Sequence, residues 1–241
     1  MSTRYVSNLL ASILLVAVIA GDAFARDCVL IDDFKTGPTH LLLADVGTWA
    51  THIQAGSMLG GWRTTALGLT ANPYRHLAQF TILNPKNAAV ATFPLQGNSR
   101  VEIIYGPGAA GAVLGGTIPP LAYYPKGCDR FRVHFNAAAA HHSINFNVLA
   151  WYQDGYPYYA QRGVPLIPFL LPFNFCVDFK FSDFITTGGY GPADVTLPTR
   201  GIRAVNFILQ SGGSGGAEQF AISRIETLDA VTAAASPCAV S

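Results

Sequence analysis

Apolar and polar residues alternate with a period of two along most of the chain. In CDRFRVHF the apolar set is Phe131, Val133 and Phe135; in SINFNVLAWYQ it is Ile144, Phe146, Val148, Ala150 and Tyr152; in NFCVDFKF it is Phe175, Val177, Phe179 and Phe181. Successive side chains of a strand point to opposite faces, so each set marks a strand with one face in a core. The pattern predicts strands over 28–34, 58–69, 88–93, 99–105, 129–136, 144–153, 157–162, 174–182, 202–210 and 218–227. No segment after residue 25 carries a long apolar period of 3.6. Ten strands without helices predict an all-β sandwich or barrel. The glycine- and proline-rich tracts 106–120 and 186–200 read as loops, because alternation resumes with the same character after each.

The first 25 residues break the pattern. Arg4 precedes the apolar stretch Leu9–Ala20, and Ala23-Phe24-Ala25 has the small-residue spacing of a cleavage site. This is the layout of a secretory signal peptide, and 12 apolar residues are too few for a spanning helix, which needs about 20. Arg26-Asp27 ahead of Cys28 do not suit a lipid-modified cysteine. Residues 26–230 are then expected to form one domain, with 231–241 as a short C-terminal tail. Cleavage predicts a secreted chain with no stable membrane insertion, found outside the cell or in the periplasm.

Composition narrows the partners. Charged residues are 12% of the chain and the formal net charge is +1, which gives no basis for nucleic acid or an anionic membrane as partner. The 24 glycines and 15 prolines suit many short strands joined by turns. All four cysteines follow the signal peptide, so disulfides are expected. Four cysteines allow three pairings. Strand parity leaves Cys128 and Cys176 opposite the apolar sets, which predicts a 128–176 bridge between neighbouring strands and a 28–238 bridge between the chain ends.

Several motifs lack the context their chemistry requires. Gly106-x-Gly108-x-x-Gly111 has dinucleotide-loop spacing, but Gly115, Gly116, Pro119 and Pro120 prevent the helix that would receive a pyrophosphate. Ser214 in GGSGG has the nucleophile-elbow pattern, yet a strand follows it in place of a helix. His141 and His142 are adjacent and point to opposite sides, so they do not converge on a metal. Only Glu102, Glu218 and Glu226 remain among glutamates after the signal peptide, and no E-x-E or E-x-D pattern sets two carboxylates on one strand face for glycoside hydrolysis.

The densest signal is WYQDGYPYY, with five aromatic rings in nine residues around Asp154-Gly155. One reading is a hairpin in which Trp151 and Tyr152 pack across the turn on Tyr156, Tyr158 or Tyr159. The other is a ligand platform. Asn145, Asn147 and Trp151 lie opposite the apolar set, and amides beside an indole suit a sugar, whose apolar face stacks on the ring and whose hydroxyls meet the amides. Placing the neighbouring strands on the same side adds Arg132 and His134, then Asp178. Trp62 and Arg63, after Gly60-Gly61, are further ligand candidates.

IDDF (31–34), GSMLGGWR (56–63), VLAWYQDG (148–155), VDFKFSDF (177–184), RAVNFILQ (203–210) and FAISRIET (220–227) together make the chain resemble secreted bacterial proteins of uncharacterised function. These have a galactose-binding-like jelly roll of the carbohydrate-binding-module type. The resemblance implies a jelly-roll-type antiparallel β-sandwich, and allows a structural calcium at Asp32 or Asp33 with no other cofactor. Such proteins often end in a Pro-Glu-Pro sorting segment, which this sequence does not show. The expected function is non-catalytic binding of a carbohydrate or cell-surface glycan. The alternatives are a structural or matrix interaction protein and, behind it, a polysaccharide-acting enzyme.

Overall fold

The computed structural model describes residues 28–83, 87–107, 118–139, 144–152, 157–164, 174–186, 201–211 and 218–238. In chain order its strands are β1 (Leu30–Asp32), β2 (Thr39–Leu43), β3 (Thr48–Ala55), β4 (Trp62–Ala71), β5 (Ala78–Leu83), β6 (Ala88–Phe93) and β7 (Asn98–Tyr105). There follow β8 (Arg130–Ala139), β9 (Ile144–Tyr152), β10 (Pro157–Val164), β11 (Phe175–Lys180), β12 (Ile185–Thr186), β13 (Ile202–Gln210) and β14 (Glu218–Leu228). The first sheet has the order β11-β8-β14-β6-β5-β2, with β1 paired to β14; the second has the order β12-β10-β9-β13-β7-β4-β3. Every pairing is antiparallel. The fold is the all-β, jelly-roll-type sandwich expected from the alternation.

The two inward faces meet in an aromatic core. Phe131, Val133, Phe135, Phe146, Val148, Phe179, Phe181, Val205 and Phe207 are all buried, as their parity requires. Phe131 packs edge-on against Phe181, Phe184 and Phe207, and Phe146 packs edge-on against Phe135 and Phe179. Such pairs each contribute about 0.5–1.5 kcal/mol beyond area burial.

Four strands, β2, β3, β5 and the two-residue β12, fall outside the ten expected from alternation. In THLLL (β2) three successive leucines erase the period. β3 is an edge strand, half-exposed along its length, so burial does not force a strict alternation on TWATHIQA. Among the described residues there is also a short α-helix, α1 (Ala230–Ala235), where only a tail was expected. Asp229 caps it, accepting from the backbone N–H groups of Val231 and Thr232, both at 2.9 Å.

The disulfides are Cys28–Cys128 and Cys176–Cys238, which corrects both pairings predicted from parity. Cys128 precedes β8 and lies outside its alternation, buried with the core. The backbone brings it to Cys28: Thr227 N–H donates to Val29 O and Asp129 N–H donates to Leu228 O, each at 2.9 Å, so the residue before Val29 and the residue before Asp129 meet at one end of β14. Cys176 does face outward on β11, as predicted, opposite His134 of β8. Its partner comes from the segment after α1, which lies across that face.

Candidate functional site

The six residues expected to share one face are divided between the two sheets. Asn145, Asn147 and Trp151 belong to β9 in the second sheet; Arg132 and His134 on β8 and Asp178 on β11 belong to the first. Parity specifies which side of its own sheet a residue occupies, but not which sheet its strand joins. Here the chain crosses from one sheet to the other between β8 and β9, so consecutive strands are not neighbours.

On the first sheet the charged residues pair with one another. Arg132, 2% exposed, donates from Nε to Asp178 Oδ1 at 2.7 Å and from Nη2 to Asp178 Oδ2 at 2.9 Å. Its Nη1 donates to Ser236 O and its Nη2 also reaches Ala233 O at 3.4 Å, so it holds the end of α1 against the sheet. Arg130 pairs with Asp129 and Asp178. His134 Nε2 lies 2.7 Å from Glu226 Oε1, and Arg224 grips Glu226 Oε2. Burial pushes the Asp178 and Glu226 carboxyls up, but hydrogen bonds from Arg132 and Arg130 in one case, and from His134 and Arg224 in the other, outweigh it and hold both below the usual carboxylate range.

The outer face of the second sheet is arranged differently. Backbone register lines up Trp49 on β3, Gly68 on β4, Arg100 on β7, Gln210 on β13 and Asn145 on β9 in one row across five strands. The adjoining row runs Thr51, Ala66, Glu102, Ile208 and Asn147. Gly68 has no side chain, and Trp49 uses that space: a Cβ built on Gly68 would meet Cη2, Cζ2 and Cε2 of the indole at 2.8, 2.8 and 2.9 Å. Three ring atoms at nearly one distance mean that the ring lies flat over the glycine. Trp49 nevertheless remains 50% exposed, so its other face is open to solvent.

Polar groups continue from the ring. Arg100 Nε lies 2.7 Å from Glu102 Oε1, and Asn206 Nδ2 donates to Glu102 Oε2 at 2.7 Å. Gln210 donates to Asn98 Oδ1 at 3.3 Å. Glu102 thereby holds Arg100, whose side chain stays 38% exposed. Asn147 is also half-exposed. Trp151 is half-buried, opposite Ala204 on β13 and Pro157 on β10. β9 and β10 do form the expected hairpin. Its turn, and the side chains of Tyr152, Tyr156, Tyr158 and Tyr159, lie outside the described residues, as do His141, His142, Ser214 and residues 1–27.

Trp49, Arg100 and Gln210 were missed in the sequence. The available signal was Gly68 inside the strand WRTTALGLT, since an interior glycine marks a close approach by a neighbouring group.

Neither Asp32 nor Arg63 is available to a ligand. Asp32 Oδ1 accepts from the Phe34 N–H at 2.8 Å, and Oδ2 accepts from Arg63 Nη1 at 2.6 Å and from the Tyr105 hydroxyl at 2.7 Å. Asp33 pairs with Lys35. At Asp32 a guanidinium already occupies the place a cation would take. Trp62, 40% exposed, follows a tight turn in which Gly60 and Gly61 take φ of 73° and 75°.

No family model matches the chain, and no curated protein matches it. Among solved structures the chain is similar to the family 11 carbohydrate-binding module of the cellulosomal cellulase Lic26A-Cel5E of Clostridium thermocellum. That similarity has 13% identity and a TM-score of 0.39, over 86% of this chain and 96% of that one. It is also similar to an exo-beta-agarase, with 9% identity and a TM-score of 0.41, over 85% of this chain and 25% of that one.

Proposed function

We propose that the chain is an exported, non-catalytic carbohydrate-binding protein, and that glycan lies on the outer face of the second sheet. The observation that carries this reading is Trp49, laid flat on Gly68 with its free face to solvent, and Arg100 and then Gln210 following Gly68 in the same row. A ring held by the sheet offers stacking area at little conformational cost, and the guanidinium and amide groups can meet hydroxyls. Asn147 and Trp151 extend the same face toward β10, and the backbone register adds the position of Asn145. From β3 to β9 there are four strand spacings, roughly 19 Å at about 4.8 Å each, which accommodates a chain of sugars and not only one. Export is supported by the two disulfides, which persist in oxidising compartments. Absence of catalysis is supported by the occupation of Asp32, Glu102, Asp178 and Glu226, each held by an arginine.

Calorimetric titration with a panel of neutral and acidic oligosaccharides tests the reading. Saturable binding that is lost in Trp49→Ala supports it. Failure of every glycan to bind, with the protein instead adhering to matrix proteins, favours the structural alternative.

A further inference from the structure

The outer face of the first sheet holds a second feature, unconnected with Trp49. Between β8, β11, β14 and the segment after α1 lies a groove of about 340 Å³, a volume at the lower end of small-molecule sites, which run from about 300 Å³. Its wall includes Arg132, Arg224, His134, Asn136, Asn174 and Ser223, and among the described residues no carboxylate lines it. Two acids pair with its donors. Glu226 anchors both His134 and Arg224, and Asp178 anchors Arg132. Both carboxyls are held below their usual range, so they stay ionised and keep the donors in place.

The donors are therefore oriented, and the described residues that line the groove include no carboxylate. Glu226 engages the Nε and Nη2 groups of Arg224, whose side chain is 50% exposed, and Nη1 is not part of that pair. Two amides and a serine hydroxyl stand on the same wall, suited to hydroxyl groups. The disulfide Cys176–Cys238 and Pro237 close the remaining side, so the groove depends on α1 being tied to β11.

We infer that this groove is a second binding site, for a small acidic sugar whose carboxylate meets Arg224 and whose hydroxyls meet Asn136, Asn174 and Ser223. A bare anion would satisfy the arginine but leave the amides idle, and a neutral sugar would do the reverse. The site stands independently of the glycan face on the opposite sheet.

The test is NMR titration of the isotope-labelled protein with three probes: glucuronate, glucose and inorganic sulfate. Glucuronate is expected to give saturable shifts at residues of β8, β11 and β14, binding at least about tenfold more tightly than either other probe, because the charged hydrogen bond and the hydroxyl contacts act together. Arg224→Gln is expected to weaken glucuronate at least about tenfold; Asn136→Ala, which leaves the ion pairs alone, should weaken it less. Trp49→Ala should leave glucuronate binding unchanged, which separates this site from the opposite face. The inference is overturned if glucuronate does not saturate, if sulfate or glucose binds as well, or if Arg224→Gln binds glucuronate as the parent does.

Discussion

Arg63 Nη1 and Asp32 Oδ2 meet at 2.6 Å inside the sandwich, with side chains 0% and 1% exposed. The pair joins β4 of the second sheet to β1 of the first, and Tyr105 on β7 adds a third contact. Removing one partner strands a buried charge, so Arg63→Met should cost about 3–5 kcal/mol in urea denaturation. The double variant Arg63→Met/Asp32→Leu should recover part of the loss. A single-variant cost below about 1 kcal/mol would contradict the role given to the pair.

The two disulfides should differ in what they hold. Cys28→Ser/Cys128→Ser opens a bridge in the core and is expected to cost about 2–5 kcal/mol of global stability. Cys176→Ser/Cys238→Ser should instead loosen α1, seen as rapid proteolysis after residue 229 with the sandwich intact. Peptide mapping under non-reducing conditions checks the pairings themselves, and recovery of a 128–176 peptide would contradict them.

Acid should unfold the protein through Asp178 and Glu226. Both carboxyls sit below their usual range in the folded chain, so their contribution is present above the unfolded values of about 4 and is lost as pH falls through the folded ones. Burial and the nearby Asp32 charge push the Tyr105 hydroxyl up, so its contribution is present below about pH 10 and is lost as pH rises further. Melting temperature against pH should show a plateau between these limits, and Asp178→Asn should flatten the acid side. A stability that holds undiminished to pH 2 would contradict the assignment.

Phe146→Ala removes a ring packed between Phe135 and Phe179 and should cost about 3–5 kcal/mol. Chemical denaturation reads this directly.

How much of this was legible in the sequence depends on which contacts parity controls. Phe131, Phe146 and Phe207 announced the core because burial on one face forces a period of two. Cys128 misled because it lies before its strand, where parity has no hold. Arg132 and Asp178 were placed beside Asn147 because nothing in the local pattern says which sheet a strand joins; that is settled by long-range pairing such as β9 with β13. Arg63 read as a ligand residue, since a single sequence does not reveal that Asp32, 31 positions away, neutralises it. Trp49 went unnoticed because its edge strand is half-exposed and weakly patterned, and the glycine that seats it lies 19 residues further on.

The most direct test of the glycan face is Trp49→Ala, measured for glycan affinity and for stability in the same preparation. The ring rests on Gly68 at the surface and fills no core space, so its loss should lower affinity at least tenfold, about 1.4 kcal/mol, while stability changes by no more than about 0.5 kcal/mol. Equal glycan affinity in the variant and the parent, or a parent that binds no glycan, would contradict the assignment of this face.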